Sequence, residues 1–168
     1  MKAYAHHRST CHNRSLRRLI SGAFLFSLLF LAACSKGSDS TDTEWDLAEL
    51  SDRLLHEITY TDTLSSMDDS LMDYLYPDID TADVSEKTIY ISTGSTAEEI
   101  AAFQAVDEEA AKRIEEGLKK RIEQQTESFT DYVPEEVKRL EDAVLVRHGA
   151  YVVLSVSGDA AKAKDILK

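Results

Sequence analysis

Two thiols, Cys11 and Cys34, and five imidazoles, His6, His7, His12, His56 and His148, are the side chains here best suited to nucleophilic or metal chemistry, beside a surplus of carboxylates. None falls into a known catalytic spacing. There is no G-x-S-x-G elbow, no glycine-rich phosphate loop and no H-E-x-x-H pair, so hydrolase, nucleotide-dependent and zinc-protease chemistry have no visible carrier. Asp78, Asp80 and Asp83 have the look of a calcium loop, but position five of that template would be Ala82, position six Asp83 in place of Gly and position twelve Ile89 in place of Glu. These aspartates read as turn residues, and no metal or other cofactor is expected. His56 has no second His or Cys near it in sequence and reads as a solvated histidine on the polar side of a helix. Paired carboxylates are too plentiful to single out an acid and a base.

Composition narrows the classes further. The chain has 168 residues, 19 Lys plus Arg against 31 Asp plus Glu, and a formal charge of −12. That is one modest domain, and its sign excludes a nucleic-acid binder, which must neutralise phosphates. The first 33 residues differ from the rest: Lys2, Arg8, Arg14, Arg17 and Arg18 with no acidic residue, then an apolar stretch from Leu19 to Ala33. A basic flank, a short apolar run and small residues at its end make a secretory signal peptide over 1–33. The run is too short, and too interrupted by Ser21, Gly22 and Ser27, for permanent spanning. Residues around Arg17 and Arg18 fit twin-arginine export only loosely, so ordinary secretion is preferred.

The segment closes on Leu31-Ala32-Ala33-Cys34, which resembles a bacterial lipobox. The resemblance implies that the Cys34 sulfur takes a diacylglyceryl group, that a peptidase cuts before it, and that Cys34 becomes the first residue of the mature chain. Two acyl chains meet the requirement for stable anchoring, because one binds only marginally. The competing reading, an ordinary thiol beside a plain cleavage site, leaves the two alanines and the apolar run as coincidence. The expected location is therefore the cell membrane, lipid-anchored, on its extracytoplasmic face. Removing 33 of the 168 residues leaves 135 and takes away Cys11, so no disulfide within the chain is possible. It also removes five of the 19 basic residues and no acidic one, moving the formal charge from −12 to −17. Residues 34–43, the lipidated cysteine and an apolar-free Ser35–Thr43 stretch, read as a flexible tether.

The domain from 44 to 168 must position whatever else the protein does. Thr43 with Asp46 suggests a helix cap, and Leu47, Leu50, Leu54 and Ile58 recur at helical spacing. Ser66 to Tyr76 reads as a short helix with Leu71 and Leu75 inward, joined by Met67 and Met72, and Tyr74 and Tyr76 read as packing residues. Thr88 to Ser92 is a strand and Thr93-Gly94-Ser95-Thr96 a turn. Beyond it the residues leave two readings: Thr96 to Glu99 as a capping box opening one long helix, or Glu99 to Ala105 as a strand with Asp107 capping a shorter one. From Asp107 to Phe129 a helix places Ala111, Ile114, Leu118, Ile122 and Phe129 inward, with Gly117 inside it at some cost to stability. Pro134 opens another helical turn, and Asp159 starts a closing helix with Ala163, Ile166 and Leu167.

Ala143 to Ser157 reads as a β-hairpin with His148-Gly149 as its two-residue loop. That register sets Leu145 opposite Val152 and Ala143 opposite Leu154 on one face. Val144 then faces Val153, and Val146 faces Tyr151, on the other. Both faces are apolar, so either helices cover both or Val144, Val146, Tyr151 and Val153 form a candidate interaction surface.

The order of elements is αββαββα, an α+β fold with a four-stranded, largely antiparallel sheet packed with helices. With Ile89 to Ile100, Ser128 to Glu136 and Leu140 to Ala143, the chain resembles a family of small lipoproteins of Gram-positive anaerobes built on a domain of unknown function, DUF4358. The resemblance implies the strand reading for Glu99 to Ala105 and a small α+β fold, and it carries no activity. The expectation for function is a non-enzymatic binding or accessory module outside the membrane, its acidity favouring a cationic ligand or basic protein and no nucleic acid. The alternative is a structural or assembly subunit of an envelope complex, docking through its sheet.

Overall fold

Antiparallel strands with helices on both faces organise the computed structural model, which describes residues 44–168. The leader 1–33, the Leu31–Ala33 lipobox, Cys34, the tether and Thr43 lie outside the described residues. Five strands, β1 (Ser65–Ser66), β2 (Val84–Ile91), β3 (Glu99–Ala105), β4 (Val144–His148) and β5 (Tyr151–Val156), stand in the order β1-β2-β3-β5-β4, every pair antiparallel. The helices are α1 (Leu47–Glu57), α2 (Met72–Leu75), α3 (Glu108–Thr130), α4 (Pro134–Glu141) and α5 (Ala160–Ile166). The α+β expectation therefore holds, with a fifth strand beyond the four expected. That strand is two polar residues long, pairing Ser65 with Ile91 and Ser66 with Tyr90, too short to leave a period in the sequence.

Because side chains alternate along a strand, β3 and β5 feed two separate cores. Ala101, Phe103, Val152, Leu154 and Val156 meet α3 and the 67–79 segment through Ile114, Leu118, Met72, Tyr76 and Ile79. Ile100, Ala102, Tyr151 and Val153 meet α1 and α5 through Leu47, Leu54, Ala163, Ile166 and Leu167. Double coverage makes the central strands near-continuous apolar runs, which is why Glu99 to Ala105 carries no strand alternation. The strand reading is correct there. Thr96 to Glu99 caps nothing, and Asp107 accepts from the Ala110 amide at 2.7 Å to open α3.

Several local expectations change. The cap of α1 is Asp46, whose carboxylate accepts from the Glu49 amide at 2.9 Å. The 66–76 stretch breaks into β1, a 3-10 turn at Asp69–Leu71 and the single turn of α2. Met67, Met72 and Tyr76 are buried, but Leu71 and Tyr74 are exposed, since so short a helix has no inward stripe. The hairpin loop is Gly149-Ala150, with Gly149 at φ +54°, and His148 is the last residue of β4, paired with Tyr151. The register slides by two: Val144 pairs Ser155, Leu145 pairs Leu154 and Val146 pairs Val153. A slide of two keeps each side chain on its expected face. Trp45 stacks on His148 at 5.1 Å with rings 9° apart, fixing where the chain enters the hairpin end of the sheet.

Gly117 has a packing reason. A Cβ there would lie 2.6 Å from Ile79 Cγ1 and 2.9 Å from the Asp78 carbonyl oxygen. The helix thus gives up propensity so that the 77–80 loop can lie against it.

A buried charge network beside an open cavity

Glu99 opens β3 and Glu98 immediately precedes it, so in extended backbone their carboxylates go to opposite faces, and each is only 1% exposed. Burying a carboxylate is tolerable only if its oxygens are met by donors and its charge is balanced. Both conditions are satisfied twice. Glu98 accepts from the Thr61 amide at 2.9 and 3.0 Å, the Asp62 amide at 2.8 Å and the Thr96 hydroxyl at 3.2 Å. Arg139 Nη1 stands 2.9 Å from Glu98 Oε1 and 3.1 Å from Glu136 Oε2, an ion pair shared between two carboxylates. Glu136 in turn accepts from the Ala97 amide at 2.8 Å. One α4 arginine thereby ties the start of β3 to α4, while Glu98 holds the loop that follows α1.

Glu99 faces the α3 side. Its Oε1 accepts from the Tyr76 hydroxyl at 2.7 Å, and its Oε2 accepts from Arg121 Nη2 at 2.7 Å, Arg121 Nε at 3.2 Å and Gln125 Nε2 at 3.0 Å. Arg121 also lies over the Tyr76 ring at 5.1 Å, and that ring meets Phe103 edge-on at 6.0 Å. Burial, reinforced by the Glu99 charge, pushes the Tyr76 phenol well above its ordinary value, so it stays a donor. Arg121 and Gln125 are one α3 turn apart and Phe129 continues the same stripe.

That stripe, the 71–75 segment and the turn between β2 and β3 enclose an open cavity of about 380 Å³. Its walls are Leu71, Tyr74, Leu75, Ile91 and Phe129; its polar lining is Ser92, Thr93, Gly94, Thr96, Glu98 and the Glu99, Arg121, Gln125 group. The turn is held in place. Asp62 accepts from the Thr93 amide at 2.9 Å and the Thr93 hydroxyl at 2.5 Å, Ser92 Oγ donates to the Thr96 carbonyl at 2.7 Å, and Gly94 supplies a φ of +93°. Hydrogen bonding from Thr93 keeps the Asp62 carboxyl below its usual range. The volume lies within the range of small-ligand and side-chain pockets, and a rigid rim reduces the ordering cost of binding. At the cavity floor Glu99 meets four donor atoms, one on Oε1 and three on Oε2.

The residues singled out from sequence lie elsewhere. Val144, Tyr151 and Val153 are buried and Val146 is partly buried in the core beneath α1 and α5, so the candidate interaction surface is an interior face. Helices cover both sides of the hairpin, the other of the two readings. His56 is exposed, 2.9 Å from the Asp52 carbonyl oxygen and 3.1 Å from its carboxylate. Asp78 takes Lys120 at 2.7 Å and Gln124 at 3.0 Å, Asp80 accepts from the Ala82 amide at 2.9 Å, and Asp83 receives both arms of Arg113 at 2.6 and 2.8 Å. They serve separate loop contacts. Among the described residues no group of three or more His, Cys, Asp or Glu could hold a metal ion, and no helix is long and apolar enough to cross a membrane.

Sequence reasoning passed over Glu98, Glu99, Glu136, Arg121, Arg139 and Tyr76. The available signal was local: two adjacent glutamates leading straight into Ile100-Ala101-Ala102-Phe103, charges with no solvated face to occupy. Comparison with the curated proteins and with the solved structures gives no match. The model of the family described as "Domain of unknown function (DUF4358)" matches residues 56–157, a span running from the end of α1 to the end of β5 that includes the whole charge network, and the chain belongs to that family.

Proposed function

We propose that this protein is a lipoprotein, held by a diacylglyceryl group on Cys34 at the extracytoplasmic face of the cell membrane, whose 44–168 domain is a non-enzymatic binding module. The observation that carries the anchor is the sequence Leu31-Ala32-Ala33-Cys34 at the end of a basic-then-apolar leader. Support for binding over catalysis comes from the network itself: Glu98 and Glu99 are each engaged by several donors and an arginine, which fixes a cavity rim and commits the Glu99 carboxylate to four donor atoms. Docking through the sheet is not carried forward, because α1 and α5 cover that face.

Metabolic labelling with a fatty-acid analogue tests the anchor. Label should appear on the wild-type chain and vanish in Cys34→Ala; persistence of label in that variant overturns the assignment. Cross-linking in living cells tests the module: one reproducible neighbour is expected, and turnover on a hydrolase panel that disappears with a single carboxylate substitution would replace binding by catalysis.

A further inference from the structure

We propose that the cavity between α3, the 71–75 segment and the β2–β3 turn is a peptide-docking site, taking an apolar or aromatic side chain from a segment that carries Lys or Arg on either side of it. The inference deepens the binding-module reading and rests on it, but not on the anchor. The floor disfavours a charged occupant: Glu99 is balanced by Arg121 and already meets four donor atoms, so a buried ligand charge would find no unpaired counter-charge there. The walls, Leu71, Leu75, Ile91 and Phe129, are those of an apolar pocket. Tyr74, part of the wall and yet 80% exposed, offers a flat amphipathic surface at the rim. A small molecule confined to the cavity would cover only part of so exposed a ring, whereas a chain passing over the rim would cover more of it.

The charge of the flanks follows from the surrounding sequence. From Leu54 to Glu86 there is no Lys or Arg, and from Ile122 to Val137 there is none. From Thr88 to Ala111 there is none either, and together these three stretches supply every lining residue of the cavity except Arg121. Lys87, Lys120 and Arg113 reach in to pair Asp69, Asp78 and Asp83, but Asp62, Asp68, Asp73 and Asp80 have no cationic partner among the described residues. Asp62 bonds the rim residue Thr93 and Asp73 adjoins Tyr74, so unpaired carboxylates border the mouth and favour positive residues on the approaching chain.

The test uses residues 44–168, which fall within one compact unit. Three probes are titrated into it: acetyl-Lys-Lys-Phe-Lys-Lys-amide, the same peptide with Ala for Phe, and the same peptide with Glu for every Lys. Binding is followed by amide chemical shifts and calorimetry. The first peptide should shift Ile91, Thr93, Gln125 and Phe129. Loss of the phenyl ring should weaken it roughly tenfold, the value of burying one aromatic side chain. The Glu peptide should bind more weakly still, and high salt should weaken the Lys peptide. Tyr74→Ser and Leu71→Lys alter only exposed side chains, so they should reduce affinity several-fold while leaving the unfolding midpoint in place. Equal affinity of the Phe and Ala peptides, tighter binding of the Glu peptide, or shifts confined to another surface would overturn the site. That result combined with a reproducible cross-linked neighbour in cells leaves the binding module standing with its site elsewhere.

Discussion

Removing the guanidinium of Arg121 while keeping Glu99 should be among the most damaging single substitutions in the domain. Arg121→Met preserves much of the stem that packs over Tyr76, so the loss isolates the charge. Glu99 would keep Tyr76 and Gln125 as donors at 2.7 and 3.0 Å, yet its charge, 1% exposed, would have no counter-ion. Breaking a buried pair from one side costs about 3–5 kcal/mol. Glu99→Gln removes the charge instead and leaves Arg121 at the cavity wall, where water can reach it, so the loss should be smaller, about 1.5–3 kcal/mol for hydrogen bonds to a charged group. In the double variant nothing charged is left unpaired, and the loss should fall well short of the sum, giving a coupling energy of about 2 kcal/mol. Urea unfolding at pH 7 followed by far-ultraviolet dichroism measures all four corners; with a slope of about 2 kcal/mol/M, Arg121→Met should lower the midpoint by about 1.5–2.5 M. Additivity within about 0.5 kcal/mol would refute the claim that these two groups exist for one another.

Gly117→Ala separates two arguments of opposite sign. Helix propensity alone predicts a gain of about 1 kcal/mol, whereas the contacts at 2.6 and 2.9 Å to Ile79 and the Asp78 carbonyl predict a net loss of about 1–2 kcal/mol; Gly158→Ala, which meets nothing within 4 Å, is the control and should stay within about 0.5 kcal/mol. A raised urea midpoint for Gly117→Ala would discredit the packing. Alkaline titration should show a second signature. Burial holds the Tyr60 and Tyr76 phenols above their ordinary value of 10, so the folded state binds more protons than the unfolded one and stability, complete below about pH 10, falls as pH rises beyond it. Tyr60→Phe should flatten the alkaline limb of midpoint against pH, and an unchanged limb would mean the phenol is not protected. At the other end, Asp78 and Asp83 are held below their usual range by Lys120 and Arg113, so their contribution is present above about pH 4 and disappears as pH falls through the folded-state values. Thermal midpoints of Asp83→Asn should converge with wild type in acid; a constant gap down to pH 2 would exclude the linkage.

The fold was largely legible where one physical signal dominated. Leu47, Leu54 and Ile58 recur at helical spacing because α1 buries one side, and Ala143 to Ser157 reads as a hairpin because Gly149 supplies the turn. The errors fall where two signals compete. His148-Gly149 and Gly149-Ala150 both place the glycine inside a two-residue loop, and what separates them is the ladder that β5 makes with β3, a non-local term absent from the hairpin's own residues. Thr96 to Glu99 satisfies the capping-box pattern, but its glutamates accept from the Asp62 amide and pair with Arg139 and Arg121 instead, so a local motif lost to long-range pairing.

The site was less legible for the same reason carried further. Arg121 and Glu99 are 22 positions apart, Glu98 and Arg139 farther still, and in a chain with 31 acidic residues a buried glutamate has no compositional mark. What distinguishes Glu98 and Glu99 is the company they keep: strand neighbours that are apolar on both faces, so that neither carboxylate has a solvated side to turn to. An acidic chain makes such burial expensive, because each enclosed charge adds to a field that already favours protons and cations. Retaining the pair therefore demands Arg121 and Arg139 at the two faces, and those arginines fix α3 and α4 against the same turn that shapes the cavity. The geometry of the binding rim and the balance of its buried charges are in this way one property, and a substitution that disturbs either should be read out in both stability and affinity.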